Sequence, residues 1–300
     1  VFRVELFKGK SHFGENVTFD ETLPTNYLAD EVIDDNKVNE LLAKKYNETI
    51  VIAEDDSEIL AYLKDELSTN FRVIAVNNGY DAVKAVMDDE VSLILSDVLM
   101  PALNGFQLCS NIKSNIATCH IPIVLLTALS DDNQRIYGIA EGADEYIHKP
   151  FNMQYVRLKI IRIIEERKRL ASTFAQKFGR LTRHEAANLP CVDDVFRDKL
   201  FNLIEAQHSD SNFKIELMSD MLGMSRILLY RKITSIFGMS PSDLLRNYRL
   251  QKAVQLLTDQ RRNVSEVAYI VGFSSPAYFA KCFKSVYNMT PTEYMYRTRE

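Results

Sequence analysis

From residue 49 onward, short apolar runs alternate five times with amphipathic helical patterns, and few folds accept that rhythm. Thr49 to Glu54 (TIVIAE), Phe71 to Val76 (FRVIAV), Val91 to Ser96 (VSLILS), Ile121 to Thr127 (IPIVLLT) and Glu145 to His148 (EYIH) read as strands. Helical patterns lie between them at about 57–68, 79–88, 105–114 and 131–140, and a fifth follows at about 152–170 and continues until it breaks at Gly179. Runs of Val, Ile and Leu with few polar breaks, each followed by a helix, predict an α/β doubly wound five-stranded parallel sheet covered on both faces. Ligands of such sheets bind beyond the carboxyl ends of the strands.

The residues at that edge are Glu54, Asp55 and Asp56 after the first strand, Asp97 after the third, Thr127 after the fourth, and Lys149 with Pro150 after the fifth. Each has an ordinary structural alternative: Asp55 or Asp56 as a helix N-cap, Asp97 or Thr127 as a turn residue, Lys149 as a solvated charge. Together they bring carboxylates, a hydroxyl and an ammonium to one edge of one sheet. Crowded carboxylates repel unless a cation sits among them, and a hard ion such as Mg2+ is the natural partner. A carboxylate can also attack phosphorus, provided that metal, ammonium and hydroxyl neutralise the transferred group. Asp97 is the central candidate for that nucleophile, with Asp55 and Asp56 holding the metal.

These residues resemble the receiver domain of two-component response regulators, which has a flavodoxin-like fold. The likeness covers residues 49 to about 168: the acidic pair Asp55 and Asp56, Asp97-Val-Leu-Met-Pro101 with Asn104-Gly105, Thr127-Ala128, and Lys149-Pro150-Phe151. The resemblance implies that Asp97 accepts a phosphoryl group from a phosphohistidine. It implies that Asp56, Asp97 and the backbone carbonyl of Leu99 hold Mg2+, with Asp55 in support. Thr127 and Lys149 would bind the phosphoryl oxygens, and Tyr146 would be an aromatic switch. Leu99 and Leu129, two places after Asp97 and Thr127, flank the approach of an in-line water. Two apolar groups there predict an aspartyl phosphate lasting hours rather than seconds.

Residues 193–300 lose the strand pattern and become helical, at about 193–207, 214–222, 225–237, 241–258, 264–271, 275–287 and 291–298. A short helix, a glycine-containing turn and a second helix occur twice, around Gly223 and around Gly272, which predicts two helix-turn-helix units. In each unit the second helix would read DNA. Arg226, Ile227, Tyr230 and Arg231 share an outward face on the first, and Leu229, Ile233 and Ile236 face inward. On the second, Ser275 opens the helix, Pro276, Ala277, Ala280, Lys281 and Lys284 face outward, and Phe279 and Phe283 face the core. Arg231 and Lys281 suit guanine edges, Arg226 and Lys284 phosphates, and Ile227 and Ala277 thymine methyls. The helix from Pro241 is a rod of roughly 27 Å, against the ~34 Å between successive major grooves on one DNA face.

This half resembles an AraC-type DNA-binding domain over about 105 residues, through Leu229-Tyr230-Arg231-Lys232, Gly238-Met239-Ser240-Pro241, Val267-Ala268 with Gly272-Phe273, Tyr278-Phe279 and Phe283-Lys284 before Pro291. Asn288 stands where the family usually has glycine, and asparagine tolerates the same left-handed backbone. Charge divides with the halves. Residues 193–300 carry 15 Lys+Arg against 12 Asp+Glu, a net of +3, which leaves 21 against 29 for residues 1–192. A DNA partner therefore belongs with the C-terminal half.

The domain reading is thus 1–14 as the remnant of a kinase ATP-binding domain, 15–48 as a linker, 49–168 as the receiver, 169–192 as a second linker and 193–300 as the AraC-type domain. The first stretch looks like the last strand of a histidine-kinase ATP-binding domain, so the resemblance places this chain at the C-terminal end of a hybrid two-component regulator. Ile160, Ile163, Ile164, Leu170 and Phe174 form a heptad-like stripe open to two readings, dimerisation or packing on the receiver. No apolar run reaches the roughly 18 residues of a membrane span, and Cys109, Cys119, Cys191 and Cys282 have neither metal-ligand nor disulfide-scaffold spacing, as expected of a cytoplasmic chain without membrane contact. The expectation is a phosphorylation-dependent transcriptional regulator and not an enzyme. A histidine kinase would be its phosphodonor, double-stranded promoter DNA its partner, and a homodimer its activated form. By resemblance such hybrids control carbohydrate-utilisation genes. The alternatives are a Mg2+-dependent phosphohydrolase, disfavoured because no second acid follows Asp97 by two residues, and a phosphate sink that binds no DNA.

Overall fold

A computed structural model describes residues 35–128, 142–178, 193–258 and 262–297. The chain divides into two compact units, Val1–Glu40 and Leu41–Glu300. After helix α1 (Asp35–Ala43), the elements alternate as β1 (Thr49–Ala53), α2 (Ser57–Ser68), β2 (Arg72–Val76), α3 (Gly79–Asp88), β3 (Leu93–Asp97), α4 (Gly105–Ser114), β4 (Ile123–Thr127), β5 (Glu145–His148) and α5 (Met153–Phe178). Seven helices follow: α6 (Asp194–Gln207), α7 (Ile215–Met221), α8 (Arg226–Phe237), α9 (Pro241–Thr258), α10 (Val264–Ile270), α11 (Pro276–Tyr287) and α12 (Pro291–Arg297). The helix expected at 131–140, Leu129, the kinase remnant and most of both linkers lie outside the described residues.

The five strands are parallel in the order β2-β1-β3-β4-β5. β1, β3 and β4 are buried along their whole length, as continuous aliphatic runs must be when helices cover both faces. On one face α2 and α5 pack Leu63, Leu67, Val156 and Ile160 against Ile50, Ile52 and Leu95. On the other, α3 and α4 pack Ala82, Val86, Leu108 and Ile112 against Val51, Ile94 and Leu125. Asn78 caps α3, and Asn104 opens α4 with a capping box completed by Gln107.

Helix α5 runs to Phe178, as its continued pattern up to Gly179 predicts, and its far end leaves the sheet. Phe174 and Phe178 enter an aromatic core with Phe196, Phe201, Phe237 and Tyr248; the Phe174 and Phe237 rings lie 4.7 Å apart. Three residues of the heptad-like stripe are taken up inside the chain, Ile160 and Ile164 against the sheet and Phe174 in the aromatic core, while Ile163 and Leu170 are partly covered. The second helical core, of Leu250, Ala253, Leu257, Val267, Phe279 and Phe283, is separate. Both turn glycines have positive φ, +66° at Gly223 and +90° at Gly272. A Cβ on Gly272 would lie 2.1 Å from the His208 carbonyl oxygen, so no other residue fits that turn. Asn288 ends α11 at φ 57°, the left-handed conformation expected of it. Among the described residues no helix is long and apolar enough to cross a membrane, and Cys109, Cys119 and Cys282 are free thiols.

His120, at the foot of β4, is 7% exposed, and its Nδ1 is buried without a hydrogen-bond partner. Burial, with the nearby charges of Lys232, Arg167 and Lys113 outweighing Asp193, pushes its pKa well below the ordinary histidine value. The folded state holds this imidazole neutral, whereas the unfolded chain protonates it below ~6.5. Stability from this site is therefore complete above that pH and falls as the pH drops below it, by at most ~1.4 kcal/mol per pH unit. Thermal melts from about pH 7.5 to 5.5 are expected to show this decline, and His120→Gln to flatten it.

Candidate functional site

Strand β1 has β2 on one side and β3 on the other, so the connections leaving β1 and β3 run to opposite faces and open a crevice at their carboxyl ends. The β1–β3 register pairs Ala53 with Ser96, which sets Glu54 and Asp55 beside Asp97. Carboxylate oxygens of Glu54, Asp55 and Asp97 lie within 4.8 Å of one another. Glu54 and Asp97 are buried and Asp55 is exposed at the mouth. Asp56 stands outside this group. Its Oδ1 accepts hydrogen bonds from the amides of Glu58 (2.8 Å) and Ile59 (3.1 Å), and so caps α2. The acidic pair beside Asp97 is therefore Glu54 and Asp55, one place earlier than the sequence predicts. The reason is that the chain turns into the helix at Asp56, whose extended backbone suits an N-cap.

Lys149 follows β5 and reaches back across the crevice. Its Nζ lies 2.8 Å from Glu54 Oε2 and 3.2 Å from Asp97 Oδ2. Burial raises the pKa of the Glu54 carboxyl most, the charge of Asp97 adds to this, and the Lys149 contact opposes both. Burial also works against the charge on Lys149, but its bonds to Glu54 and the charge of Asp97 prevail and raise its pKa, so it stays an ammonium. The other Asp97 oxygen, Oδ1, accepts from the Val98 amide at 2.8 Å. Thr127 is buried at the end of β4, where its carbonyl accepts from the Lys149 amide at 2.7 Å. Tyr146 lies half-buried on β5 opposite Leu125, against the α3–α4 face.

The loop after Asp97 is tied down from below. Val98, Met100 and Leu103 are buried and Leu99 is 57% exposed. Ala102 adopts a left-handed φ of 67°. Gly105 lets α4 begin directly beneath the aspartate, since a Cβ there would lie 2.4 Å from the Asp97 carbonyl oxygen. The donor set is all hard oxygen with one ammonium for counterbalance, which suits a small divalent cation. It also suits an incoming tetrahedral anion whose charge must be neutralised.

The other residues singled out lie on α8 and α11. Ser225 and Ser275 cap the two helices through the amides of Leu228 and Tyr278. Ile227, Tyr230, Ala277, Lys281 and Lys284 are exposed, Pro276 is partly covered, and Arg226 is exposed but paired with Glu216 at 3.3 Å. Leu229, Ile233, Ile236, Phe279 and Phe283 are buried, as their spacing predicts. Arg231 differs from its neighbours in being half-buried, with its guanidinium donating to carbonyls at the end of α3.

Residues 50–161 match the family model for the response regulator receiver domain, and residues 218–297 that for a helix-turn-helix domain. The chain carries a receiver domain followed by an AraC-type helix-turn-helix domain. The crevice at Glu54, Asp55 and Asp97 falls within the receiver, and α8 and α11 within the helix-turn-helix domain. Over its full length the chain is 35% identical to Histidine kinase P4 of Formosa agariphila, of which it spans 22%. It is 38% identical over 113 residues to the transcriptional regulatory protein GltR of Pseudomonas aeruginosa, covering 37% of this chain and 47% of that one. It is 29% identical over 194 residues to the response regulator GtcR of Aneurinibacillus migulanus, covering 62% of this chain and 74% of that one. The chain thus spans less than half the length of the first two relatives.

Proposed function

We propose that this chain is a transcriptional regulator whose binding to promoter DNA is set by phosphorylation of Asp97. The observation that supports this reading above all is the seating of Lys149 between Glu54 and Asp97 at the mouth of the β1–β3 crevice. An Asp97 oxygen would attack the phosphorus of a phosphohistidine on a histidine kinase, the P–N bond would break, and an aspartyl phosphate would form. Lys149 and Thr127 would contact the transferred oxygens. Glu54, Asp55 and Asp97, with the Leu99 carbonyl, would hold Mg2+, which supplies charge neutralisation at the developing transition state. Tyr146 would move with Thr127 as the switch.

The kinase belongs by this reading to the same parent polypeptide, with the chain acting in the cytoplasm, and the activated form is a homodimer. The α8 face of Arg226, Ile227, Tyr230 and Arg231 and the α11 face of Ser275, Pro276, Ala277, Lys281 and Lys284 would enter neighbouring major grooves, spaced by the 18-residue α9. Selection on random duplexes, with and without a beryllofluoride mimic of the aspartyl phosphate, tests both halves together. The expected product is one motif with two elements about 10 base pairs apart, bound more tightly with the mimic. Absence of any enriched motif would remove the DNA reading, and an equal yield in both arms would remove the phosphorylation control.

A further inference from the structure

Helix α8 is held by the receiver at one residue of the face that would enter DNA, Arg231. Arg231 Nη1 donates to the carbonyl oxygens of Asp89 (2.9 Å) and Met87 (3.3 Å), and its Nη2 to that of Asp88 (2.8 Å). These carbonyls close α3, where the helix dipole places its negative end. The last turn of α3 has no basic residue of its own, and Arg231 takes that place. The next residue, Lys232, is wholly buried and donates to the Ile116 carbonyl of the receiver. One turn on, Thr234 and Ser235 line a cavity of about 360 Å³ with Glu90, Val91, Ser92 and His120. The first turns of α8, with Ile227 63% and Tyr230 49% exposed, stand clear.

We propose that the C-terminal end of α3 is an internal competitor for DNA, so that docking of α8 on the receiver and insertion of α8 into a major groove exclude one another. This rests on the DNA-binding reading of α8. The chemistry of the two sites is alike. A guanine edge offers an arginine fork two acceptor oxygen and nitrogen atoms, and α3 offers three carbonyl oxygens beside two carboxylates. A duplex cannot reach Arg231 while receiver backbone lies within hydrogen-bonding distance of it. The second unit is not held in this way: Ala277, Lys281 and Lys284 on α11 are exposed. The docked chain therefore offers DNA one reading helix, and release of α3 adds the other. The far end of α3 abuts the phosphoacceptor loop, since a Cβ on Gly79 would lie 2.5 Å from the Leu103 carbonyl oxygen. A single ten-residue helix thus runs from the Asp97 loop to Arg231.

The test uses the full chain and a fluorescent pool of random-sequence duplexes. Asp88→Lys with Asp89→Lys sets ammonium groups against the Arg231 guanidinium while leaving every proposed DNA contact intact. A charge-matched control, Asp65→Lys with Glu66→Lys, changes α2 on the opposite face of the sheet. The α3 pair is expected to raise the affinity of the unphosphorylated chain about tenfold over the control pair. Equal affinity of the two pairs overturns the competitor and leaves the DNA reading standing. If no variant binds the pool, under any phosphorylation state, both fall together. Hydrogen exchange on the wild type gives an independent readout. Saturating duplex is expected to protect the first turn of α8 while exposing Glu90–Ser92, and protection of both segments at once overturns exclusivity.

Discussion

Asp97→Asn is expected to abolish phosphoryl labelling of the chain by a phosphohistidine donor, with no residual signal at long times. A carboxamide cannot form an acyl phosphate, and among the described residues the other carboxylates of the cluster are placed less well. Glu54 is held by Lys149 at 2.8 Å, and Asp55 lies exposed at the mouth. The same change removes one of three negative charges and should weaken Mg2+ binding by roughly tenfold, or ~1.4 kcal/mol. Folding should survive, because Lys149 keeps its contact with Glu54 and the Val98 amide can still donate to the oxygen of the new carboxamide. Titration calorimetry suits the metal measurement, since the chain has no tryptophan to report binding by fluorescence. Labelling that persists in this variant would move the phosphoacceptor elsewhere and end the proposed mechanism.

Lys232→Ala is expected to cost about 3–5 kcal/mol of unfolding free energy, because it leaves a buried charge without its partner. The Lys232 ammonium lies 2.6 Å from Asp193 Oδ2 and 3.2 Å from Cys119 Sγ, with the Phe196 ring 4.5 Å away. Burial works against the Asp193 carboxylate, but hydrogen bonds from Cys119, Lys232 and the Phe196 amide outweigh it and hold its pKa below the usual value. Removing the lysine takes away that support and leaves the Ile116 carbonyl without this donor. Lys232→Met combined with Asp193→Asn should recover most of the loss. An asparagine still caps α6 through the Phe196 amide, and the methionine fills the space of the stem. Urea unfolding of Lys232→Met, Asp193→Asn and the double variant measures the coupling. A loss below about 1 kcal/mol for Lys232→Ala would show that the pair contributes no more than a surface contact.

The site is legible in the sequence where chemistry follows from position along a strand. Asp97, Thr127 and Lys149 end or follow three runs of aliphatic residues, and any parallel arrangement of those runs brings them to one edge. The acidic pair is displaced by one residue from its expected place because Glu54, Asp55 and Asp56 are consecutive acids. Which of them caps the helix depends on where the backbone leaves the strand, and three carboxylates in a row carry no mark of that point. The packing partners of the far end of α5 escape the sequence for another reason. Ala171, Phe174 and Phe178 are buried, and the two phenylalanines pack against residues more than twenty positions further along the chain, which a local periodicity cannot reveal.

The sequence by itself determined the parallel sheet and the two helix-turn-helix units. Each of these depends on side-chain type at a short, regular spacing. Only the tertiary structure decided that Glu54 joins the cluster, that Phe174 and Phe178 on α5 enter the helical core, and that Arg231 is held by the receiver. The partners of Arg231 are three main-chain carbonyls more than 140 residues away, and a carbonyl oxygen is the same in every residue, so no reading of side chains could have found them.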